Sequence, residues 1–185
     1  MKITDAEKKA LKGRGYIMTR DGEHFIARLI TVDGVLTSEQ FTVAAEAAEK
    51  FGNGQLAMTS RLTIEVQGLT YDTIEPFNEY ISKAGLYTGG TGSRVRPIVA
   101  CKGTVCIHGL IDTQGLAREL HEKFYKGWYD IKLPHKFKIG VGGCPNNCIK
   151  PSLNDFGIMG QKVPAYDPDD CNGCPKCSVV DVCPV

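Results

Sequence analysis

The hydrophobic positions in the first half of the chain alternate between strand-like and helix-like spacing. Residues 24–32 are apolar and β-branched and predict a strand, which Asp33-Gly34 ends with a turn. Residues 37–51 begin with a capping box formed by Thr37 and Gln40, and the apolar spacing that follows predicts a helix. The expected buried stripe of this helix consists of Phe41, Ala44, Ala45 and Ala48.

The next segments continue this alternation. Residues 56–66 predict a second strand region, because apolar and polar residues alternate from Leu62 onward. Residues 73–84 predict a helix, in which Pro76 is tolerated because it lies in the first turn, and Gly85 ends that helix. A β-α-β-α order of this kind favours an α+β fold or a ferredoxin-like unit.

A glycine-rich, basic link at residues 89–96 separates this half from a second series of strand and helix signals. The predicted elements are strands over residues 97–100, 137–141 and 156–159 and a helix that Asp112 or Thr113 caps and that continues to about Tyr125. From Gln161 onward the chain is polar and rich in proline, so we place a domain boundary near residue 165.

Composition and charge exclude several classes of protein. The chain has 185 residues, of which 42% are hydrophobic and 23% charged, and this is too apolar for a disordered chain. A formal net charge of +1 argues against non-specific nucleic-acid binding, and no apolar run is long enough for a membrane span. The polar N-terminus lacks the apolar stretch of a secretory signal, so we expect a cytoplasmic protein with reduced thiols.

All eight cysteines lie after residue 100, although a disulfide framework would spread them through the fold. They form three clusters: Cys101 and Cys106; Cys144 and Cys148; and Cys171, Cys174, Cys177 and Cys183. The first two clusters supply thiolates that suit tetrahedral zinc or a cubane iron–sulfur cluster. Neither pair has the CxxC spacing usual in zinc sites, which favours the iron–sulfur cluster. In the alternative reading, Cys101 and Cys106 are buried core residues and only the 142–148 loop binds a ligand.

The last cluster of cysteines has a separate meaning. Residues 171–184 resemble the bacterial ferredoxin run C-x2-C-x2-C-x3-C-P, with a longer last spacing. In two-cluster ferredoxins the fourth cysteine of one run binds the other cluster, so we expect a second run beyond Val185 and a chain cut within a ferredoxin module. Cys183 would then serve the missing cluster. A zinc knuckle and reduced thiols in a disordered tail are the alternatives.

Several motifs occur in an order that resembles the family of siroheme-dependent sulfite and nitrite reductases. Residues 25–101 carry ARLITVDGVLTSEQ, LAMTSRLTIEVQGL and AGLYTGG, and residues 101–160 carry CKGTVCIHGLIDTQGLA, LPHKFKIGVGGCPNNC and LNDFGIMG. The resemblance implies an α+β chain with a ferredoxin-like half-domain (1–92), a siroheme and [4Fe-4S] α/β half-domain (93–165) and a partial ferredoxin module (166–185). With this module, the chain looks most similar to the C-subunit branch of bacterial anaerobic sulfite reductases.

The resemblance also implies which cysteines bind the catalytic cluster. Cys101, Cys106, Cys144 and Cys148 match the [4Fe-4S] ligands, and Cys148 matches the ligand that also bridges to the siroheme iron. Many members have one more residue between the first two ligands, so we expect a loop adjustment near Cys106. The tail cysteines Cys171, Cys174, Cys177 and Cys183 imply an additional ferredoxin-type [4Fe-4S] cluster in the full-length chain.

Siroheme and sulfite are both anionic, so the resemblance implies a pocket rich in cations. Arg61 matches the arginine that contacts siroheme, and Asn146 matches a loop asparagine that does the same. The residues that match the cations around the substrate are Arg28, Arg96, Lys136 and Lys138, with Arg94 as the alternative to Arg96. Lys136 and Lys138 would point to the same face of a strand. Taken alone, these two lysines read as ordinary surface charges.

The implied reaction is the reduction of sulfite to sulfide by six electrons at a siroheme coupled to a [4Fe-4S] cluster. Nitrite is the alternative substrate, and a non-catalytic iron–sulfur electron-transfer subunit is the alternative from another class. Family members contain two copies of the two-part unit and this chain contains one, which implies a homodimer. The expected electron donors are a ferredoxin-type subunit and a flavin subunit that draws on NADH.

Overall fold

A four-stranded antiparallel sheet organises the first half of the chain in the computed structural model, which describes residues 3–165 and 167–182. The elements of this half are helix α1 (Asp5–Gly13), strands β1 (Tyr16–Met18) and β2 (Phe25–Leu29), helix α2 (Ser38–Phe51), strands β3 (Leu56–Met58) and β4 (Ile64–Leu69) and helix α3 (Ile74–Ser82). The strands lie in the order β1-β2-β4-β3, and each neighbouring pair is antiparallel. Helices α2 and α3 bury one hydrophobic core against the sheet.

Strand β2 and helix α2 form where the sequence predicts them. The side chains of β2 alternate, so that Ala27 and Leu29 are buried and Arg28 lies on the opposite face of the sheet. The predicted capping box of Thr37 and Gln40 starts α2. The predicted stripe was wrong at two positions, because the helix packs closely through small side chains: Ala47 is buried in place of Ala45, and Phe41 is 44% exposed.

The predicted strand region over residues 56–66 is confirmed at its two ends, but it contains a turn between parts of two antiparallel strands. The turn closes at residues 59–63, where the N–H of Thr59 donates to the carbonyl of Thr63 and the N–H of Leu62 donates to that of Thr59. Leu62 adopts a left-handed φ of 59°. Both strands of a hairpin share one alternating pattern, so the pattern does not reveal the turn. Helix α1 and strand β1 are further elements that the sequence reading missed.

A three-stranded parallel sheet organises the second half. Its elements are strand β5 (Val99–Ala100), helix α4 (Thr113–Leu120), a π-helix (His121–Lys126), and strands β6 (Ile139–Gly142) and β7 (Phe156–Met159). The strand order is β5-β6-β7, and Asp112 caps α4 by accepting the N–H of Gly115 at 2.9 Å. The predicted strands and helix are confirmed here, although β6 begins two residues later than expected and the helix ends in a π-helix. A second hydrophobic cluster lies around β6.

The α+β class is confirmed. One sheet is antiparallel and the other is parallel, and each has its own hydrophobic cluster. The division at residues 92 and 165 stays a prediction.

Every described residue from 161 to 182 is exposed, including the short helix α5 (Ser178–Val182) and Cys171, Cys174 and Cys177. The fourth predicted tail ligand, Cys183, lies outside the described residues. None of the helices in the described ranges is both long and apolar enough to cross a membrane.

Candidate functional site

Two of the predicted cluster cysteines lie where neighbouring parallel strands end. Cys101 directly follows β5, and Gly143 and Cys144 follow β6. The backbone N–H of Gly143 donates to the Sγ atom of Cys101, with an N···S distance of 3.1 Å. A Cβ atom on Gly143 would lie 2.8 Å from the Cα atom of Gly103, so a larger residue would force the two loops apart. The loops that carry Cys101 and Cys144 therefore lie against each other.

The other two predicted ligands lie on the same two loops. Cys106 follows a 3-10 turn at Gly103–Val105, and Cys148 ends the loop that begins with Cys144. Cys101, Cys106 and Cys144 are partly buried and Cys148 is exposed. The described part of the chain contains no group of three or more Cys, His, Asp or Glu side chains close enough to hold a metal, so the ligand set stays a prediction. The donors themselves, thiols on two adjoining loops, fit an iron–sulfur cluster.

A pocket of about 450 Å³ lies between the two sheets. It is lined by all of the predicted siroheme-contacting and substrate-contacting cations, Arg28, Arg61, Arg96, Lys136 and Lys138, and also by Lys150. Ile149 and Lys150 line the pocket and directly follow Cys148, so the pocket adjoins the cysteine loops. Cations this close together repel each other, and an anion between them would relieve that repulsion. We refer to it as the basic pocket.

Arg28 and Arg96 share one backbone acceptor on the wall of the basic pocket. Arg28 lies opposite Glu65 on β4 and pairs with its carboxylate at 2.6 Å. The Nη1 atoms of Arg28 and Arg96 both donate to the carbonyl oxygen of Gly90, the former at 3.1 Å. The pKa of Arg96 is lowered by burial and, to a lesser extent, by the neighbouring Arg28. Two guanidinium groups are thus held side by side, and only Arg28 has a carboxylate partner among the ion pairs of the described residues.

Arg61 connects the turn of the first sheet to the second sheet. Its guanidinium donates to the carbonyl oxygens of Pro97 at 2.6 Å and Ile139 at 3.2 Å, and to Oδ1 of Asn154 at 2.9 Å. Burial, followed by the charge of Arg96, lowers the pKa of Arg61 to about 10. Its Nε atom is buried and has no hydrogen-bond partner within the described ranges. Arg61 therefore holds the two halves together while it lines the basic pocket, and its predicted siroheme contact stays a prediction.

The segment before β6 carries the two predicted lysines. Lys136 and Lys138 precede the strand rather than lying on it, and both line the basic pocket. The N–H of Arg96 donates to the carbonyl of Phe137 at 2.7 Å, which aligns Arg96 with these lysines. Arg94, the alternative to Arg96, instead donates to the carbonyl of Gly13 and lies over the ring of Tyr129. The structure therefore assigns Arg96 to the basic pocket.

Three further residues lie close to Cys148 in the sequence. Lys150 lines the basic pocket and was missed, although its position two residues after a predicted ligand was a usable signal. Asn146, predicted to contact siroheme, is exposed in the cysteine loop and is not among the residues that line the described pocket. Asn147 has a left-handed φ of 56°, and its Oδ1 atom is buried without a hydrogen-bond partner in the described structure. The role of Asn146 stays a prediction.

Comparison with known proteins identifies two family profiles along the chain. A profile described as the nitrite/sulfite reductase ferredoxin-like half domain matches residues 17–84, and one described as the nitrite and sulphite reductase 4Fe-4S domain matches residues 91–168. The chain is 35% identical over 166 residues to the coenzyme F420-dependent sulfite reductase of Methanocaldococcus jannaschii, covering 89% of this chain and 26% of that protein. It is 35% identical over 164 residues to the C subunit of the anaerobic sulfite reductase of Salmonella typhimurium, covering 78% of this chain and 45% of the relative.

A solved structure shows the same fold. The Mycobacterium tuberculosis NirA protein superimposes with a TM-score of 0.69 at 14% identity, covering 83% of this chain and 31% of that one. At that identity the likeness concerns the fold alone. The chain spans less than half of the length of each of these relatives.

Proposed function

The chain belongs to the family of nitrite and sulfite reductases, and from this premise we propose that it supplies the catalytic pocket of a sulfite reductase. The reaction takes sulfite to sulfide and consumes six electrons and six protons, and the three oxygens leave as water. Because the chain spans only part of its relatives, the activity is proposed for the assembled enzyme. The convergence of the predicted cations on one pocket beside the cysteine loops is the observation that carries the proposal.

The cofactors of this proposal are siroheme and a [4Fe-4S] cluster. The cluster would be held by Cys101, Cys106, Cys144 and Cys148, and Cys148 would also serve siroheme. When bound, these groups would pass electrons from the donor to the anion. The tail cysteines Cys171, Cys174, Cys177 and Cys183 would hold an additional ferredoxin-type cluster. The basic pocket fits siroheme chemically, because its donors, including the unpaired Nε of Arg61, can bind carboxylates.

The protein itself binds and orients the anion. Arg28 and Arg96 present fixed guanidinium groups, because Gly90 and Glu65 restrain them. Fixed cations of this kind stabilise an oxyanion without reorganising during the reaction. Lys136 and Lys138 lie on the exposed side of the pocket, where their ammonium groups can donate protons to the sulfite oxygens and exchange them with water.

The double variant Lys136→Ala/Lys138→Ala tests this proposal against a purely electron-carrying role. A reductase loses sulfite turnover by about 10²-fold or more while it keeps its siroheme and iron content. An iron–sulfur carrier would not reduce sulfite in either form, and the double variant would keep its rate of electron transfer to an artificial acceptor. Lys132→Ala is the matched control, because Lys132 is exposed on the same segment outside the basic pocket. Unchanged sulfite turnover in the double variant would refute the proposal.

Nitrite is the second candidate substrate, because the family described by both matching profiles reduces either anion. Steady-state kinetics with sulfite and nitrite on the same preparation decide between them through the ratio of kcat/KM values.

We further propose a homodimer in the cytoplasm that receives electrons from a ferredoxin-type subunit and a flavin subunit that oxidises NADH. Co-purification from the native host, followed by measurement of NADH-dependent sulfite reduction, tests that assembly.

A further inference from the structure

The carbonyl oxygen of Gly90 is the shared anchor of Arg28 and Arg96 in the basic pocket. Gly90 has a left-handed φ of 69°, and a Cβ atom there would lie 2.9 Å from the ring of Pro97. The segment that contains it is tied to β2, because the N–H of Gly89 donates to the carbonyl of Arg28 at 3.0 Å. Whatever sets the position of residues 89 and 90 therefore sets the distance between the two guanidinium groups.

An aromatic cluster of Tyr87, His121 and Tyr125 lies behind this segment. The imidazole of His121 is fully buried, and its Nε2 atom lies 2.7 Å from the hydroxyl of Tyr87. The same ring stacks on Tyr125, with the centroids 4.8 Å apart. His121 and Tyr125 both belong to the π-helix His121–Lys126, a helix type that recurs at functional sites. Burial lowers the pKa of His121 to about 4, so the imidazole is neutral at physiological pH and stacks without a charge.

Tyr125 lies against the segment that contains Gly89 and Gly90. Its hydroxyl is so close to the backbone that a Cβ atom on Gly89 would lie 2.5 Å from Oη. Tyr125 and Gly90 also line the same narrow gap between the two halves of the chain. The residue is 3% exposed, and its hydroxyl faces the backbone of Gly90.

We infer that Tyr125, held in place by His121, is a positioning residue that sets the spacing of Arg28 and Arg96 through the Gly89-Gly90 segment. The inference rests on the proposed function only for the identity of the anion as sulfite. A guanidinium pair that spreads by a fraction of an ångström no longer matches a small oxyanion, so affinity for the anion falls.

Gly89→Ala is the direct test, because its methyl group must displace the hydroxyl of Tyr125. The probe is inorganic sulfate, titrated into the purified chain without siroheme and followed by its effect on the melting temperature. We expect Gly89→Ala to weaken sulfate binding about tenfold. Gly89→Ala/Tyr125→Phe removes the colliding oxygen and should return the affinity to within about twofold of the unmodified chain. Gly13→Ala is the control, because outside its own helix its methyl group meets no atom of the described residues within 4 Å.

Wild-type sulfate affinity in Gly89→Ala, or no recovery in the double variant, would overturn the inference. If Gly89→Ala does not fold, Tyr125→Leu takes its place, and undiminished sulfate affinity in that variant has the same consequence. In the assembled, siroheme-loaded enzyme, Gly89→Ala should raise KM for sulfite more than it lowers kcat, since the two arginines bind the anion before and during the reaction. If sulfate binding behaves as expected but the assembled, siroheme-loaded enzyme reduces no sulfite, the proposed function is refuted and the positioning role stands.

Discussion

The Sγ atom of Cys101 accepts a hydrogen bond from the backbone N–H of Gly143 at 3.1 Å. The contact forms because β5 and β6 run parallel, so that the N–H of Cys101 donates to the carbonyl of Val141 and both chain segments leave the sheet at one edge. N–H donors to cysteine sulfur are one means by which a protein tunes an iron–sulfur cluster. The contact therefore links the fold of the second sheet to the chemistry proposed for the cysteine loops.

Gly143→Ala should reduce the capacity of the chain to hold its cluster. The added Cβ atom would lie 2.8 Å from Gly103 Cα and 3.4 Å from Cys101 Sγ, so the two loops must separate. We expect less iron and acid-labile sulfide per chain after anaerobic reconstitution, by about half or more, because ligand geometry tolerates little displacement. Gly13→Ala, at an open helix end, should reconstitute like the unmodified chain. Full iron and sulfide content in Gly143→Ala would contradict the prediction.

The two groups of cysteines should respond differently to substitution. Cys144→Ser removes a proposed ligand of the cluster beside the basic pocket, so siroheme binding and its visible absorption should be lost along with that cluster. Cys174→Ser lies in the exposed tail and should keep siroheme and sulfite binding, even if iron content falls. Absorption spectra and iron analysis of both variants check this. Equal loss of siroheme in the two variants would show that the groups are not independent.

Local signals explain why part of the fold was predictable. The start of α2 depends on Thr37 and Gln40, which lie three residues apart, and the cap of α4 depends on Asp112 and Gly115. The turn at residues 59–63 is just as short, but its signal is the contact between the hydroxyls of two threonines, which fit equally well into a strand. The helix caps could therefore be predicted from the sequence. The turn could not, because the alternation of apolar and polar residues continues through it.

The contacts within the candidate site could not be predicted from the sequence. The resemblance to a known family identified the cations, and the structure brings Arg28, Arg96 and Lys138 into one pocket. The contacts of Arg61 join residues that are 36 to 93 positions apart, and no local pattern encodes them. The sequence predicts an ordinary helix where the π-helix follows α4, because the apolar spacing of the two is nearly the same over so few residues.

Arg61→Lys should destabilise the fold through the junction between the two sheets. One ammonium group cannot replace the forked donors that reach Pro97, Ile139 and Asn154, so buried acceptors lose their partners. We expect a loss of ~1–3 kcal/mol in the free energy of unfolding, measured by urea denaturation.

Arg14→Lys is the matched control for Arg61→Lys. Arg14 forms a forked pair with Glu75, but both side chains are largely exposed, at 48% and 67%. An exposed pair contributes little, so this substitution should change the free energy of unfolding by less than about 0.5 kcal/mol. Equal losses in the two variants would show that Arg61 does not join the halves.

His121→Gln should flatten the dependence of stability on pH. Burial first, and then the charge of Lys126, lowers the pKa of His121 to about 4 from its usual 6.5. The unfolded chain therefore binds this proton at a higher pH than the folded chain. Stability is lost as pH falls from about 6.5 towards 4, and the loss reaches up to ~3 kcal/mol for this group. The glutamine variant lacks the titrating group, so this part of the slope should disappear in urea denaturation at a series of pH values.

Tyr87→Phe separates the titration of His121 from its packing. This variant removes the hydroxyl that lies 2.7 Å from Nε2 and leaves the imidazole buried against Tyr125. It should lose about 1 kcal/mol at neutral pH through the missing hydrogen bond, yet keep the fall in stability below a pH of about 6.5. A slope that persists in His121→Gln, or that vanishes in Tyr87→Phe, would show that another group causes it. The comparison therefore tests whether the acid sensitivity of the folded state comes from the imidazole of His121, which stacks on the proposed positioning residue Tyr125.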